Sequence, residues 1–287
     1  MDGTAVATVV GRVIGMDLRH KERLSAGVAT VVDRVASGTD DMIVKWYRSH
    51  WGGLPATDLV RKNTLVADQI APAFDIRVPR VLAALDADGF VGLVLEDAGP
   101  TGRADPERAA LYARRLHNAH HISPELRSLM DRTRPNRLRV LRGVRTMAES
   151  FRSQGGRVPP WIEQLAAERE PSPEQAVAIH GDYHQRNLAS SGGDVVVLDW
   201  DLLGWGDPMW DLAYLVAAAR ATDADKHRAF AGYGRLTPAE RARLTWHLSS
   251  WSAFWWLDAA TSEAPEAARV PGDPIERDAL PPPPCAE

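Results

Sequence analysis

His180-Gly181-Asp182-Tyr183-His184-Gln185-Arg186-Asn187 lies between two short apolar runs, AVAI at 176–179 and VVVL at 195–198, and the second run ends in Asp199. Each run is too short for a helix and long enough for a strand. A turn through 190–194 would fold the second run back as a hairpin and return Asp199 beside Asn187. The carboxylate of Asp182 suits removal of a proton from an attacking hydroxyl. The carbonyl oxygen of Asn187 and the carboxylate of Asp199 suit a hard divalent cation. One base and two hard-oxygen ligands are the parts that phosphoryl transfer from a nucleotide requires. Asp and Asn also serve as ordinary turn formers between strands, so the residue types alone leave that plainer reading open.

Outward from this stretch the chain divides by pattern. Residues 22–47 alternate in β-like runs, LSAGVATVVDRV and DMIVKWY, around the turn former ASGTD at 36–40. Residues 57–71 carry Leu59, Val66 and Ile70 at helical spacing, with Pro72 and Pro79 closing the connection to a second strand pair that turns at 86–89. After Gly99-Pro100, Asp105-Pro106 opens a helix running towards His121, and helical patterns dominate from there, including 207 to about 262. The sequence thus predicts an α+β chain, mostly sheet at first and mostly helix later. The proline-rich end, VPGDPIERDALPPPPCAE, is predicted to be a tail without regular structure.

Composition narrows the class. With 287 residues and a net charge of −4, the chain is long enough for a stable core and lacks the basic excess of a nucleic-acid binder. A cationic small partner is tolerated. The single cysteine, Cys285, excludes a disulfide framework and fits a reducing compartment. The N-terminus begins with an acid, and Arg12 interrupts its apolar residues before they reach leader or membrane length, so a soluble, cytoplasmic protein is expected.

The spacing His180-Gly181-Asp182 with Asn187, then Asp199 in VLDWD and Gly206-Asp207-Pro208-Met209-Trp210-Asp211-Leu212-Ala213, resembles the aminoglycoside phosphotransferase and choline kinase superfamily. The resemblance implies a two-lobed, protein-kinase-like fold: a sheet lobe over 1–95, a hinge at 96–100, a larger mainly helical lobe over 101–269 and a tail at 270–287. It implies Asp182 as the base, Asn187 and Asp199 as ligands of Mg2+, and Asp211 bracing the loop around His180. It also implies a phosphate-binding lysine in the sheet, for which Lys45 in MIVKWYR stands at the right place. Ser25, Gly27 and Thr30 would form a reduced phosphate loop, and the backbone at Glu96 and Ala98 in LVLEDAG would meet the base of ATP or GTP. Asp207 reads as a helix cap. One departure is plain: kinases pair this lysine with a glutamate on the next helix, and 57–71 contains none, offering only Asn63, Thr64 or Asp68.

The resemblance implies transfer of the γ-phosphoryl group of ATP or GTP to a hydroxyl of a small molecule. An antibiotic phosphotransferase acting on a cationic acceptor, an aminoglycoside or a tuberactinomycin peptide such as viomycin or capreomycin, is the first expectation. A metabolic kinase for choline, homoserine, a sugar or methylthioribose is the second, and a nucleotide-binding pseudokinase the third. Trp255, Asp258, Glu263 and Glu266 place acids beside aromatic faces, which suits a cationic guest. His117, His120 and His121 have metal-like spacing but no carboxylate or cysteine to complete a set, so packing is expected of them. His184 and Arg186 are expected to touch phosphate or to lie as ordinary loop residues. Oligomeric state is not legible.

Overall fold

A computed structural model describes residues 2–261 apart from 27–28, 49, 88, 103, 135–136 and 219–220. Gly27, Glu263, Glu266 and the tail with Cys285 therefore lie outside the described residues. In chain order the elements are helix α1 (Gly3–Ile14), strands β1 (Arg19–Ala26), β2 (Thr30–Ser37) and β3 (Asp40–Tyr47), and helix α2 (Ala56–Leu65) with α3 (Ala71–Phe74). Strands β4 (Val81–Ala87) and β5 (Phe90–Glu96) follow, then helices α4 (Pro106–His117), α5 (Pro124–Arg132), α6 (Arg137–Ser153) and α7 (Pro160–Ala167). Strands β6 (Val177–Ile179), β7 (Leu188–Ser191), β8 (Asp194–Val197) and β9 (Gly204–Gly206) precede helices α8 (Pro208–Ala218), α9 (Asp223–Tyr233) and α10 (Pro238–Thr261). The fold is α+β, an antiparallel sheet early and helices late. Among the described residues no helix is long and apolar enough to cross a membrane.

The chain forms two compact units, one of residues 1–104, 119–134 and 186–204, the other of 105–118, 135–185 and 205 onward. In the first unit, five antiparallel strands pair in the order β1-β2-β3-β5-β4. Successive side chains of a strand point to opposite faces, and β3 uses both. Trp46 joins Val31, Val35, Val44 and Phe90 in a core that α1 closes with Val6 and Val10. Tyr47 joins Leu93 and the α2 residues Leu59 and Val60 on the other face. Lys45, two residues before Tyr47, shares that second face.

Helix α1 is absent from the patterns read above, yet its signals are local. Asp2 caps it by accepting from the Ala5 N–H at 2.8 Å, and Gly15 ends it at φ 70. Val6 and Val10 sit one turn apart and both are fully buried, each contributing about 1.5–3 kcal/mol. Another difference concerns the helix expected over 57–71, with Pro72 in the connection that follows it. The helix instead widens into a π turn over Val66–Ile70 and continues into α3 with the proline in its first turn. A proline lacks the N–H that an α turn would use there, and an early helical position removes that cost.

In the second unit, α6, α7 and α10 share a core of Val144, Ala148, Ile162, Leu165, Ala253 and Leu257. Asp105 caps α4, accepting from the N–H groups of Glu107 and Arg108 at 2.9 and 3.0 Å. Helices α4 and α9 approach so closely that a Cβ at Gly232 would lie 2.0 Å from the Glu107 carbonyl oxygen. Only glycine fits that crossing.

Candidate active site

The first unit brings together Lys45, Asn187 and Asp199. Strands β7 and β8 form the hairpin through 190–194, with Leu188 opposite Val197 and the turn glycines Gly192 and Gly193 at φ 59 and 80. The Leu198 N–H then donates to the Asn187 carbonyl at 2.8 Å, so the two residues flanking the hairpin, Asn187 and Asp199, are held at its open end. Asp199 adopts φ 58, the left-handed region that a side chain rarely occupies. Such strain persists where neighbouring structure imposes it.

Lys45 Nζ lies 2.8 Å from Asp199 Oδ1 and 2.8 Å from Asp201 Oδ1. Burial opposes its charge, yet the two carboxylates outweigh that cost and raise the ammonium well above the usual lysine range. Asp201 was not singled out by the sequence. Its Oδ1 also accepts from the Tyr47 hydroxyl at 2.8 Å and the Asn63 amide at 2.9 Å. Asn63 is thus in place on α2, but it donates to the acid and is not itself the partner of the lysine. Asp68 is exposed on the π turn. Burial, and then the charge of Asp201, push the Tyr47 phenol well above its normal range, so it stays a donor.

Lys62, one residue before Asn63, is fully buried. Its Nζ donates to Thr133 Oγ1 at 2.9 Å and to the backbone carbonyls of Asp201 and Leu203, which pins the turn carrying Asp201. Burial lowers this lysine to about 7, against a smaller upward pull from Asp201. Of the nucleotide-binding expectations, Thr30 pairs with Tyr47 across β2 and β3, and Ser25 pairs with Val32 across β1 and β2. Glu96 ends β5 opposite Met42, with Ala98 two residues on.

The second unit holds Asp182 and its loop. Asp211, near the start of α8 and fully buried, accepts from the His180 N–H at 2.7 Å and the Gly181 N–H at 2.9 Å, one with each oxygen. His117 Nε2 lies 3.1 Å from the same carboxylate and His117 Nδ1 lies 2.8 Å from the Tyr233 hydroxyl. With Nε2 donating to the acid, Nδ1 accepts from the phenol. Trp210 Nε1 donates to the Gly181 carbonyl at 3.1 Å, and the Tyr183 hydroxyl donates to the Ala109 carbonyl at 2.7 Å. The Asp182 N–H donates to His180 Nδ1 at 3.3 Å. Every residue from 180 to 183 is therefore tied by its own main chain or side chain.

His184 Nε2 stands 3.6 Å from Asp182 Oδ2, and its ring lies 4.8 Å from that of Tyr214. Tyr214 stacks on Trp251 at 4.0 Å, and Trp251 on Trp255 at 6.2 Å, Trp255 being the exposed end of the series. Asp258 is exposed one turn further along α10. Asp207 caps α8 by accepting from the Met209 N–H at 3.0 Å, and it also pairs with Arg243 and His247 of α10. Burial works against its charge, but these partners hold its carboxyl below the usual range, His247 foremost. Among the described residues no group of three or more His, Cys, Asp or Glu converges as a metal site.

A family model for a phosphotransferase enzyme family matches residues 22–247. No curated protein matches the chain. Solved structures similar in fold include a spectinomycin phosphotransferase in complex with ADP and spectinomycin, 12% identical over 92% of this chain and 90% of that one, TM-score 0.63. A macrolide 2'-phosphotransferase from Brachybacterium faecium is 19% identical over 98% of this chain and 99% of that one, TM-score 0.58. A choline/ethanolamine kinase family protein from Mesorhizobium loti is 20% identical over 88% of this chain and 83% of that one, TM-score 0.57.

Proposed function

Because the chain belongs to the phosphotransferase enzyme family and is therefore a phosphoryl-transfer enzyme, we propose that it moves the γ-phosphoryl group of ATP or GTP to a hydroxyl of a cationic antibiotic. The observation that carries the chemistry is the ion pair of Lys45 with Asp199 at the open end of the hairpin that also holds Asn187. A lysine kept charged suits nucleotide phosphate oxygens. An amide oxygen and a carboxylate of which two-fifths is exposed suit Mg2+, which takes one or two protein oxygens and completes its shell with phosphate and water. When bound, that ion would neutralise charge developing on the transferred group.

The chain's own residues do the rest. Asp182 accepts the proton of the acceptor hydroxyl, which needs a carboxylate fixed in direction. Asp211 supplies that fixity through the His180 and Gly181 N–H groups, and His117 orients Asp211 in turn. Trp255 and Asp258 on α10 offer an aromatic face and a carboxylate to a cationic acceptor. Two of the solved relatives in fold act, by name, on antibiotics, which supports this acceptor class. The choline/ethanolamine kinase relative supports a second reading, a metabolic kinase whose acceptor is also cationic.

The test is ADP release with Mg2+ and ATP, then GTP, across aminoglycosides, tuberactinomycin peptides, macrolides, choline, ethanolamine, homoserine and sugars. Stimulation by one antibiotic selects the first reading. Stimulation by choline or ethanolamine alone selects the second. Silence across the panel despite confirmed nucleotide binding would count against both.

A further inference from the structure

Resting on the phosphoryl-transfer reading, we propose that Asp201 is the positioning residue for Lys45, doing from the loop what a helix glutamate does in protein kinases, with α2 supplying the donors that hold it. Three observations within the first unit carry this. First, one oxygen of Asp201 gathers Lys45, Tyr47 and Asn63 at 2.8, 2.8 and 2.9 Å. Three donors converge on that one oxygen from different elements, so the carboxylate cannot swing away from the lysine without breaking all of them.

Second, Asp201 and Asp199 differ in access. The Asp201 side chain is 3% exposed and that of Asp199 is 40% exposed, although both lie 2.8 Å from the same ammonium. An incoming cation reaches the open carboxylate. The closed one is left with the lysine, and a lysine held by it stays in place when Asp199 turns to a metal. Third, α2 offers hydrogen-bond donors where a kinase helix offers an acid. Lys62 donates to the main-chain carbonyls of Asp201 and Leu203 and to Thr133 Oγ1. The helix thus contributes an amine that fastens the loop and an amide that aims its acid.

The experiment has two arms on the full chain. A double-mutant cycle on unfolding, with Lys45→Met, Asp201→Asn and both together, reads the pair without any nucleotide. The double variant is expected to lose clearly less than the sum of the two singles; strict additivity would overturn the proposal. In the second arm, calorimetric titration with MgATP and with adenosine compares the wild type, Asp201→Asn and Asp199→Ala. Asp201→Asn is expected to weaken MgATP at least tenfold and adenosine less than twofold, with the Mg2+ concentration for half-maximal binding unchanged.

Were Asp201→Asn to raise the Mg2+ requirement as Asp199→Ala does, Asp201 would be a metal ligand and the proposal wrong. Exchanging acid and amide across their hydrogen bond, Asn63→Asp with Asp201→Asn, returns the carboxylate to the helix and is expected to restore at least part of the lost MgATP affinity. No restoration from a folded double variant counts against a positioning role. Should Asp201→Asn fail to fold, Tyr47→Phe removes one of the three donors without touching a charge and is expected to weaken MgATP a few-fold; no change would overturn the proposal. If the wild type binds no MgATP, the phosphoryl-transfer reading falls, and the cycle alone decides whether Asp201 holds Lys45.

Discussion

Two regions of this protein fix reactive groups by opposite means. Around Lys45, in the first unit, charge is held by charge: one ammonium between two carboxylates, with a second buried lysine behind them. Around Asp182, in the second unit, a loop is held by its main-chain N–H groups on a buried carboxylate, by the Trp210 indole on the Gly181 carbonyl and by the Tyr183 hydroxyl on the Ala109 carbonyl. The first kind of site adjusts its strength with every neighbouring charge, because a buried ion is worth what its partners make it. The second is a matter of direction and distance. That difference suits their proposed tasks, since a phosphate clamp must bind and release while a base must stay aligned.

The comparison breaks most sharply at the bases of the two regions. Asp182→Ala is expected to cut turnover by a factor on the order of a hundred or more while leaving MgATP affinity nearly unchanged. Steady-state kinetics beside a binding titration will show it; an equal loss of nucleotide affinity would merge the two regions into one. Next in size is Asp211→Asn. An amide offers one acceptor where the carboxylate offers two, and His180 N–H, Gly181 N–H and His117 all donate to it. One donor is then left facing an NH2 group, at a cost of about 1–3 kcal/mol in unfolding free energy. Denaturant midpoints decide it, and a loss near zero would mean that the loop is not held by this carboxylate.

Sequence made the second region more legible than the first. His180, Asp182 and Asp211 of the second region, with Asn187 and Asp199 of the first, all stand within one short stretch of the chain. The hairpin at 190–194 followed from the apolar run at 195–198, although the strand it pairs with is Leu188–Ser191 and not the run at 176–179. Asp201 stands two residues beyond Asp199, whereas the kinase pattern places the partner of the lysine on α2, which carries no glutamate. What made Asp201 the partner is a convergence of β3, α2 and the turn after β8, and no local spacing encodes a three-element meeting. Lys62 was hidden for the same reason: a lysine in a helix reads as solvated until its tip is found among carbonyls. His117 was read as packing, and its bond to Asp211 joins residues 94 positions apart. Helix α1 is of a different kind, since Asp2, Val6, Val10 and Gly15 carry a cap, a stripe and a stop that are local and legible in the sequence.

The charge-held region also predicts an unusual pH response. Burial takes Lys62 from 10.5 to about 7. Between those values the native protein has released a proton that the unfolded chain keeps, so stability rises with pH through that window and levels off below about 7. One such group gives a slope of up to about 1.4 kcal/mol per pH unit. Unfolding measured from pH 7.5 to 9.5 should show the rise in the wild type and lose it in Lys62→Met. Equal slopes in the two would mean that Lys62 keeps its proton, its three acceptors outweighing its burial.

The smallest effect is expected where the helix offers its own acid. Asp68 is the one carboxylate within 57–71 besides Asp58, and a kinase-like scheme would look to it for Lys45. It sits on the π turn over Val66–Ile70, exposed, and its charge is felt by the exposed Arg61. Asp58 is engaged too, 2.8 Å from Arg132. Surface substitutions of this kind stay within about 0.5 kcal/mol, so Asp68→Ala should leave MgATP affinity and turnover within about twofold of the wild type. The same titration used for Asp201→Asn provides the contrast. If Asp68→Ala instead weakened MgATP tenfold, the helix would have to carry its acid to Lys45 in the nucleotide-bound protein, and the charge-held region would be a switching pair of partners, not a fixed one.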